Sequence, residues 1–369
     1  MTLEPLAELK LLLRPAGGGL FLVSTGKAEQ QALQRRFYDA ATDAQVTERF
    51  EQTLEKIASA RVLVLGIPSD VGAGFRRGAN LGPQALRIRL LQDEPDWPAR
   101  AAARGVIDIG DVFVVPQLLD DEMLSAEQLS RTRAAIYPQV DEAVRATLPV
   151  SPLSIAQRAL SLALRINPDA KPLMIGGDHS TAWPVVKALH DEGKRFCIVH
   201  IDAHTDLMAE RLGIRICFAT WTYHANELIG RQQRVIQVGI RATRFSKDHW
   251  QDTLDVKQLW AKDVASDPQA AIEEIIAAAR ATGLPVYFSN DIDGTDAMDA
   301  DATGTPEPDG LAVDFVRTLV QRLARELPLV GGDLVEVAPL LGRDGGSRTL
   351  EVASLYLRDT VDALLHSAD

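Results

Sequence analysis

Asp202, His204 and Asp206 stand at alternate positions in the stretch FCIVHIDAHTD, residues 196–206. Side chains two apart on an extended backbone point to the same face, so two carboxylates and an imidazole can converge on one point. Such a set suits a divalent metal. Further polar groups follow other apolar runs. His179 closes Gly176-Gly177-Asp178-His179 after PLMI, Asp291 and Asp293 follow PVYFSN, and Glu336 follows the run that begins near residue 329. One such triplet reads as readily as a solvated strand end; three clusters at the same end of successive apolar runs do not. Asp202, Asp206, Asp291 and Asp293 carry enough negative charge to balance two divalent cations, and His179 and His204 add neutral ligands. The mixture suits Mn²⁺, Ni²⁺ or Zn²⁺, and its carboxylate majority favours Mn²⁺. Two metals sharing one water would deprotonate it near neutral pH and give a hydroxide nucleophile.

Convergence of these groups needs elements that set them side by side. Apolar runs at 61–67, 105–109, 172–177, 196–202, 234–240, 256–261, 285–292 and 329–337 read as eight strands. Helical patterns at 153–165, 181–191, 268–282, 311–326 and 348–365 separate most of them. Near-continuous apolar strands alternating with helices predict a mostly parallel sheet covered on both faces. In such sheets ligands bind beyond the carboxyl ends of the strands, where the polar clusters fall. No linker interrupts the alternation, so residues 61–369 are expected to form one catalytic α/β domain, with 114–150 as a surface excursion. Residues 1–60 stand apart as a helical extension. Thr42 or Asp43 can cap a helix carrying Val46, Phe50, Leu54 and Ile57 at helical spacing. An arm between subunits, a lid, or a layer packed on its own domain are equal readings of that segment.

Composition bounds the function. The 369-residue chain is 46% hydrophobic and 24% charged, enough for a large core. Its net charge of −12 argues against nucleic acid or an anionic membrane as the main partner. No apolar run reaches spanning length, no signal-peptide pattern opens the chain, and Cys197 and Cys217 do not form a disulfide framework. A cytoplasmic enzyme acting on a small molecule is the expectation.

Several segments together resemble one family. GIPSDVGAGFRRGANLGPQALR (66–87), GDV (110–112), GGDHS (176–180), IDAHTD (201–206), DIDGTDAMDADATGTPEPDGL (291–311) and GGDLVEVAP (331–339) run in the order found in the ureohydrolases. That family comprises arginases, agmatinases, guanidinobutyrases, guanidine hydrolases and formimidoylglutamases; the likeness covers nearly everything after residue 60 and is nearest the agmatinase-like branch. The resemblance implies a three-layer α/β/α fold with a two-manganese centre, in trimers or hexamers. It places His179, Asp202, Asp206 and Asp291 on one metal, and Asp202, His204, Asp291 and Asp293 on the other. A metal-bridging hydroxide would cleave a cationic guanidino substrate to urea plus an amine or ammonia. Asp206 would orient that hydroxide and carry its proton to the leaving amine, and Glu336 would clamp the guanidinium.

Departures from the family pattern bear on the substrate. Leu207, Met208 and Ala209 follow DAHTD where arginases carry polar groups for the amino-acid head, so an agmatinase-like or small-guanidine hydrolase is favoured over an arginase. Phe218 stands where many relatives place a proton-shuttling histidine; His224, six residues on, is a possible replacement or an ordinary helix residue. Phe218 and Trp221 imply an aromatic mouth, while Arg215 leaves room for a carboxylate-bearing tail. The alternatives are a guanidinobutyrase, a formimidoylglutamase-type hydrolase, and a non-catalytic accessory subunit of a ureohydrolase complex.

Overall fold

In the computed structural model, which describes residues 3–367, nine strands form one sheet. Met1, Thr2, Ala368 and Asp369, at the outer ends of the two segments expected from the sequence, lie outside the described residues. The strands are β1 (Leu13–Arg14), β2 (Val62–Ile67), β3 (Val106–Val112), β4 (Lys171–Gly176), β5 (Cys197–Ile201), β6 (Val235–Ile240), β7 (Lys257–Trp260), β8 (Val286–Asp291) and β9 (Leu329–Val335). Across the sheet they run β1-β3-β2-β4-β9-β8-β5-β6-β7. Every pair is parallel except β1 with β3.

The sheet thus has one strand more than the eight expected. β1 is two residues long, too short for hydrophobic alternation to register, and it forms because helix Pro5–Leu12 delivers it to the open edge of β3. The other strands follow the apolar runs. β2, β5, β6 and β8 are buried along their whole length, as strands covered on both faces must be. One hydrophobic layer lies under helices Pro152–Ile166, Ala182–Asp191 and Trp221–Ile229. The other lies under Pro268–Ala281, Val313–Glu326 and Ser347–His366. Helix Val313–Glu326 shows why: Phe315, Val316, Leu319, Val320 and Leu323 recur at three- and four-residue spacing and are all buried.

The first sixty residues pack on the same body. Glu8 is buried and accepts two hydrogen bonds from Arg158, at 2.6 and 2.9 Å, which ties the first helix to Pro152–Ile166. Thr42 caps helix Asp43–Glu55 by accepting from the amide of Gln45, and Val46, Phe50 and Leu54 are buried on its inner face. Segment 114–150, expected to be irregular, contains helices Ala126–Ile136 and Glu142–Arg145.

Two residues of the motifs that carry the resemblance, Arg87 and Asp111, serve the frame. Arg87, fully buried, donates to Asp108 at 2.8 and 2.9 Å and to Asp111. Burial raises the pKa of the Asp111 carboxyl, and Arg87 offsets only part of that rise. Removing one partner of a buried pair leaves the other charge uncompensated. Arg87→Leu is therefore expected to destabilise the fold by about 3–5 kcal/mol, measured by urea unfolding. A loss below about 1 kcal/mol, the scale of a surface pair, would refute that reading.

Candidate metal centre

The four central strands β4, β9, β8 and β5 end in one crevice. His179 begins the turn after β4, Glu336 follows β9, Asp291 closes β8 with Asp293 in the turn beyond, and Asp202 follows β5. Gly177 lets the first of these turns form: a Cβ there would lie 1.8 Å from the carbonyl oxygen of Ser69. All six expected metal ligands meet here. His179 Nδ1 lies 3.0 Å from Asp291 Oδ2, 3.2 Å from Asp202 Oδ2 and 3.4 Å from Asp206 Oδ2. His204 Nδ1 lies 3.4 Å from Asp202 Oδ1 and 3.1 Å from Asp293 Oδ2. Asp202 joins two sets whose ligand atoms lie within 4.8 Å of one another: His179, His200, Asp202 and Asp206 in one, and Asp202, His204 and Asp293 in the other.

The electrostatics fit a divalent cation. Burial, and then the neighbouring Asp202, push the Asp206 carboxyl well above its usual range. Burial followed by Asp293 and Asp202 does the same to Asp291. Burial opposes protonation of His179, but Asp202 and Asp291 outweigh it and hold the imidazole well above its usual pKa. Without a cation, the cluster thus draws a proton to the point its oxygens surround. His179 Nδ1 is buried and faces those carboxylates, aligned for a regular hydrogen bond with none of them. Loss of that proton would leave a lone pair aimed among buried acid oxygens, the arrangement a metal completes.

Each imidazole is held from its far side. His179 Nε2 meets Ser289 Oγ at 3.0 Å, and Ser289 donates to Asp333 at 2.9 Å. His204 Nε2 faces Glu307 at 3.7 Å. Such outer partners orient ligating histidines. Arg241 fixes the loop that carries Asp293 and Glu307 by donating to the carbonyls of Gly239, Asp293, Gly294, Thr295, Glu307 and Pro308.

Asp206 and Glu336 share an unusual backbone. Their φ values are +51° and +61°, in the left-handed region that residues with a side chain seldom adopt. Asp206 is retained there by Trp221, whose Nε1 donates to its Oδ2 at 3.1 Å. Trp221 is therefore not part of the mouth: it is fully buried, packed against His179 and His200. Glu336 accepts from the amide of His179 at 3.0 Å, and burial followed by Asp178 raises its pKa well above the usual range.

Other expectations about the mouth need correction. Arg215 is tied to Glu122 at 2.5 Å. Leu207 points into the core, whereas Met208 is half exposed and lines the mouth. His224 Nε2 donates to the carbonyl of Ala209, 3.0 Å away, beside the rings of Trp183 and Tyr223, so it anchors the loop rather than facing the metal ligands.

One functional residue escaped the sequence reading. His200, in the middle of β5, gathers with His179, Asp202 and Asp206. Both its ring nitrogens are engaged, Nε2 with Asp202 Oδ2 at 2.8 Å and Nδ1 with Gln237 Nε2 at 3.0 Å. Because an amide nitrogen can only donate, Nδ1 accepts and the proton sits on Nε2, aimed at Asp202. Burial lowers the pKa of His200 and so favours that neutral ring. Gln237 accepts in turn from Gln258 at 2.8 Å, and Gln258 from Trp260 at 3.0 Å. Asp333, Ser289, His200, Gln237 and Gln258 are in register on five adjacent strands, a polar row one level beneath the ligands. The signal was available: each interrupts a buried apolar strand, and His200 is two residues from Asp202. Gln237→Leu removes the donor that sets the His200 tautomer. It is expected to lower Mn²⁺ affinity by about 10–100-fold in titrations of metal-free protein. Unchanged affinity would detach the row from the metal site.

With this geometry in place, comparison identifies the family. The Arginase family profile matches residues 60–361. A guanidinobutyrase of Pseudomonas aeruginosa is 28% identical over 306 residues, covering 79% of this chain and 83% of its own. An agmatinase of Edwardsiella ictaluri is 30% identical over 307 residues, covering 80% and 87%. Among solved structures, the proclavaminate amidino hydrolase of Streptomyces clavuligerus superposes with a TM-score of 0.62 at 26% identity, covering 82% of this chain and 92% of that one. The chain belongs to the arginase family, and it is a hydrolase of carbon–nitrogen bonds. Its fold is the arginase-like α/β fold, and its His/Asp cluster is compatible with the dinuclear metal site of that family. Among the described residues no helix is long and apolar enough to cross a membrane.

Proposed function

We propose that the protein hydrolyses a guanidino compound to urea plus an amine or ammonia, and that arginine is a poor substrate for it. The observation that carries this reading is the buried meeting of His179 Nδ1 with the carboxylates of Asp202, Asp206 and Asp291. His179, Asp202, Asp206 and Asp291 would hold one divalent ion, and Asp202, His204, Asp291 and Asp293 the other. Mn²⁺ is favoured by the carboxylate majority and Ni²⁺ is the alternative. When bound, such a pair makes water acidic enough to supply a nucleophile near neutral pH.

The chain's own groups do the rest. Glu336 holds the guanidinium and so orients its carbon. Asp206, fixed by Trp221, moves the proton that the departing amine requires. Met208 and Phe218 at the mouth supply no acid to receive the α-ammonium of an amino-acid head group, whose desolvation costs several kcal/mol. A tail simpler than that of arginine therefore suits the site, as in agmatine, a small alkylguanidine or guanidinobutyrate. A trimeric or hexameric assembly belongs to the same reading and is checked by sizing.

Urea release from arginine, agmatine, guanidinobutyrate, guanidine and methylguanidine, with Mn²⁺ and Ni²⁺ in turn, tests the proposal. Formimidoylglutamate, assayed for formamide, belongs in the same screen. Release of neither urea nor formamide from any of them would favour an accessory role, and arginine as the best substrate would overturn the reading of the mouth. Asp202→Ala or Asp291→Ala is expected to lose at least one metal by elemental analysis and more than about a hundredfold in turnover. Glu336→Gln is expected to keep both metals and lower kcat/KM by roughly 10–100-fold, the worth of one charge-assisted hydrogen bond. A normal rate would move the clamp elsewhere.

A further inference from the structure

A cavity of about 580 Å³ opens from the metal centre. His204 and Asp206 lie in its wall with Met208, Arg211, Phe218 and Arg244. The two arginines differ from the others near the site. Arg215 is ion-paired to Glu122, and Arg241 is saturated by backbone carbonyls. Arg211 and Arg244 have no carboxylate partner among the described residues. Arg211 is held in place by the Phe218 ring, with its guanidinium carbon 4.7 Å from the ring centre. The nearby acids are already committed: Asp206 belongs to the metal cluster, and Glu307 faces His204.

Resting on the guanidine-hydrolase reading above, we propose that Arg211 and Arg244 form a subsite for an anionic tail. The preferred substrate is then an ω-guanidino carboxylate. Two unneutralised cations on one wall attract a carboxylate and repel a terminal ammonium. Arg also presents a planar donor fork that matches carboxylate oxygens. Met208, Phe218 and Ala219 line the path between the ends and suit a chain of methylenes. The sequence had pointed to agmatine or a small guanidine through Leu207, Met208, Phe218 and Trp221, and had left room for a carboxylate tail only through Arg215, which is paired with Glu122. The reaction consumes one water and splits one carbon–nitrogen bond, yielding urea and an ω-amino carboxylate.

The test is a series matched in length, comprising 4-guanidinobutyrate, butylguanidine and agmatine, with Mn²⁺ or Ni²⁺. We expect kcat/KM to fall by roughly tenfold or more from the carboxylate to the neutral tail, and further for the ammonium. Added NaCl should shrink that ratio, because it rests on charge. In Arg211→Gln/Arg244→Gln the ratio of carboxylate to neutral substrate should fall toward one, mainly through KM. Calorimetry with 4-aminobutyrate and butylamine gives a readout free of turnover, and only the former should bind, through the two arginines. Butylguanidine or agmatine equal to the carboxylate, or a ratio that survives the double substitution, overturns the subsite and leaves guanidine hydrolysis standing. Hydrolysis of none of the three overturns the underlying reading as well.

Discussion

Four aspartates and two histidines crowd the carboxyl ends of adjacent strands, almost sealed from water, and like charges so placed repel strongly. The surrounding structure is arranged to hold that repulsion in a fixed geometry. Asp202 takes hydrogen bonds from His200 and from the amide of His204, while Asp293 takes them from Ala203 and Thr305. Each of these donors leaves some carboxylate lone pairs directed toward the shared centre. The strained backbones of Asp206 and Glu336 fit the same logic, since a site that concentrates charge is where a fold tolerates such conformations.

Arginine serves three distinct purposes in this chain. Arg87 neutralises the buried Asp111 and the partly buried Asp108 inside the frame. Arg241 acts without any carboxylate partner of its own, collecting five carbonyl oxygens from the segments that carry Asp293 and Glu307 and a sixth from Gly239. Arg211 and Arg244 do neither and face the cavity. Charge alone does not separate these roles; burial and the partners available to each guanidinium do.

The His/Asp cluster was legible because groups that converge on one point must stand at strand ends on one face, and a period of two preserves that placement in the sequence. The strands and long helices were legible for the same reason, since burial on two faces leaves an unbroken apolar run. What escaped depended on distant partners. β1 is too short to carry a pattern and exists only beside β3. Trp221 looked like part of an aromatic mouth, yet its indole reaches Asp206, fifteen positions earlier in the chain. Arg215 looked free because Glu122, which neutralises it, lies ninety-three positions away. His200, Gln237 and Ser289 were visible as polar interruptions, but only the register of separate strands turns them into one row.

That row also bears on how the chain finds its fold. A parallel sheet of similar Val- and Ile-rich segments has many nearly equivalent ways to pair, because one apolar strand slides past another at little cost. A slip of one residue in β5, β6 or β8 would carry His200, Gln237 or Ser289 to the opposite face, into an oily layer with no partner. Each misplaced group would cost on the order of 1–3 kcal/mol, so a mispaired sheet carries a penalty that the correct alignment lacks. The residues that steady the metal ligands thereby also discriminate the native strand alignment from its near neighbours, and assembly of the sheet and assembly of the site become a single event.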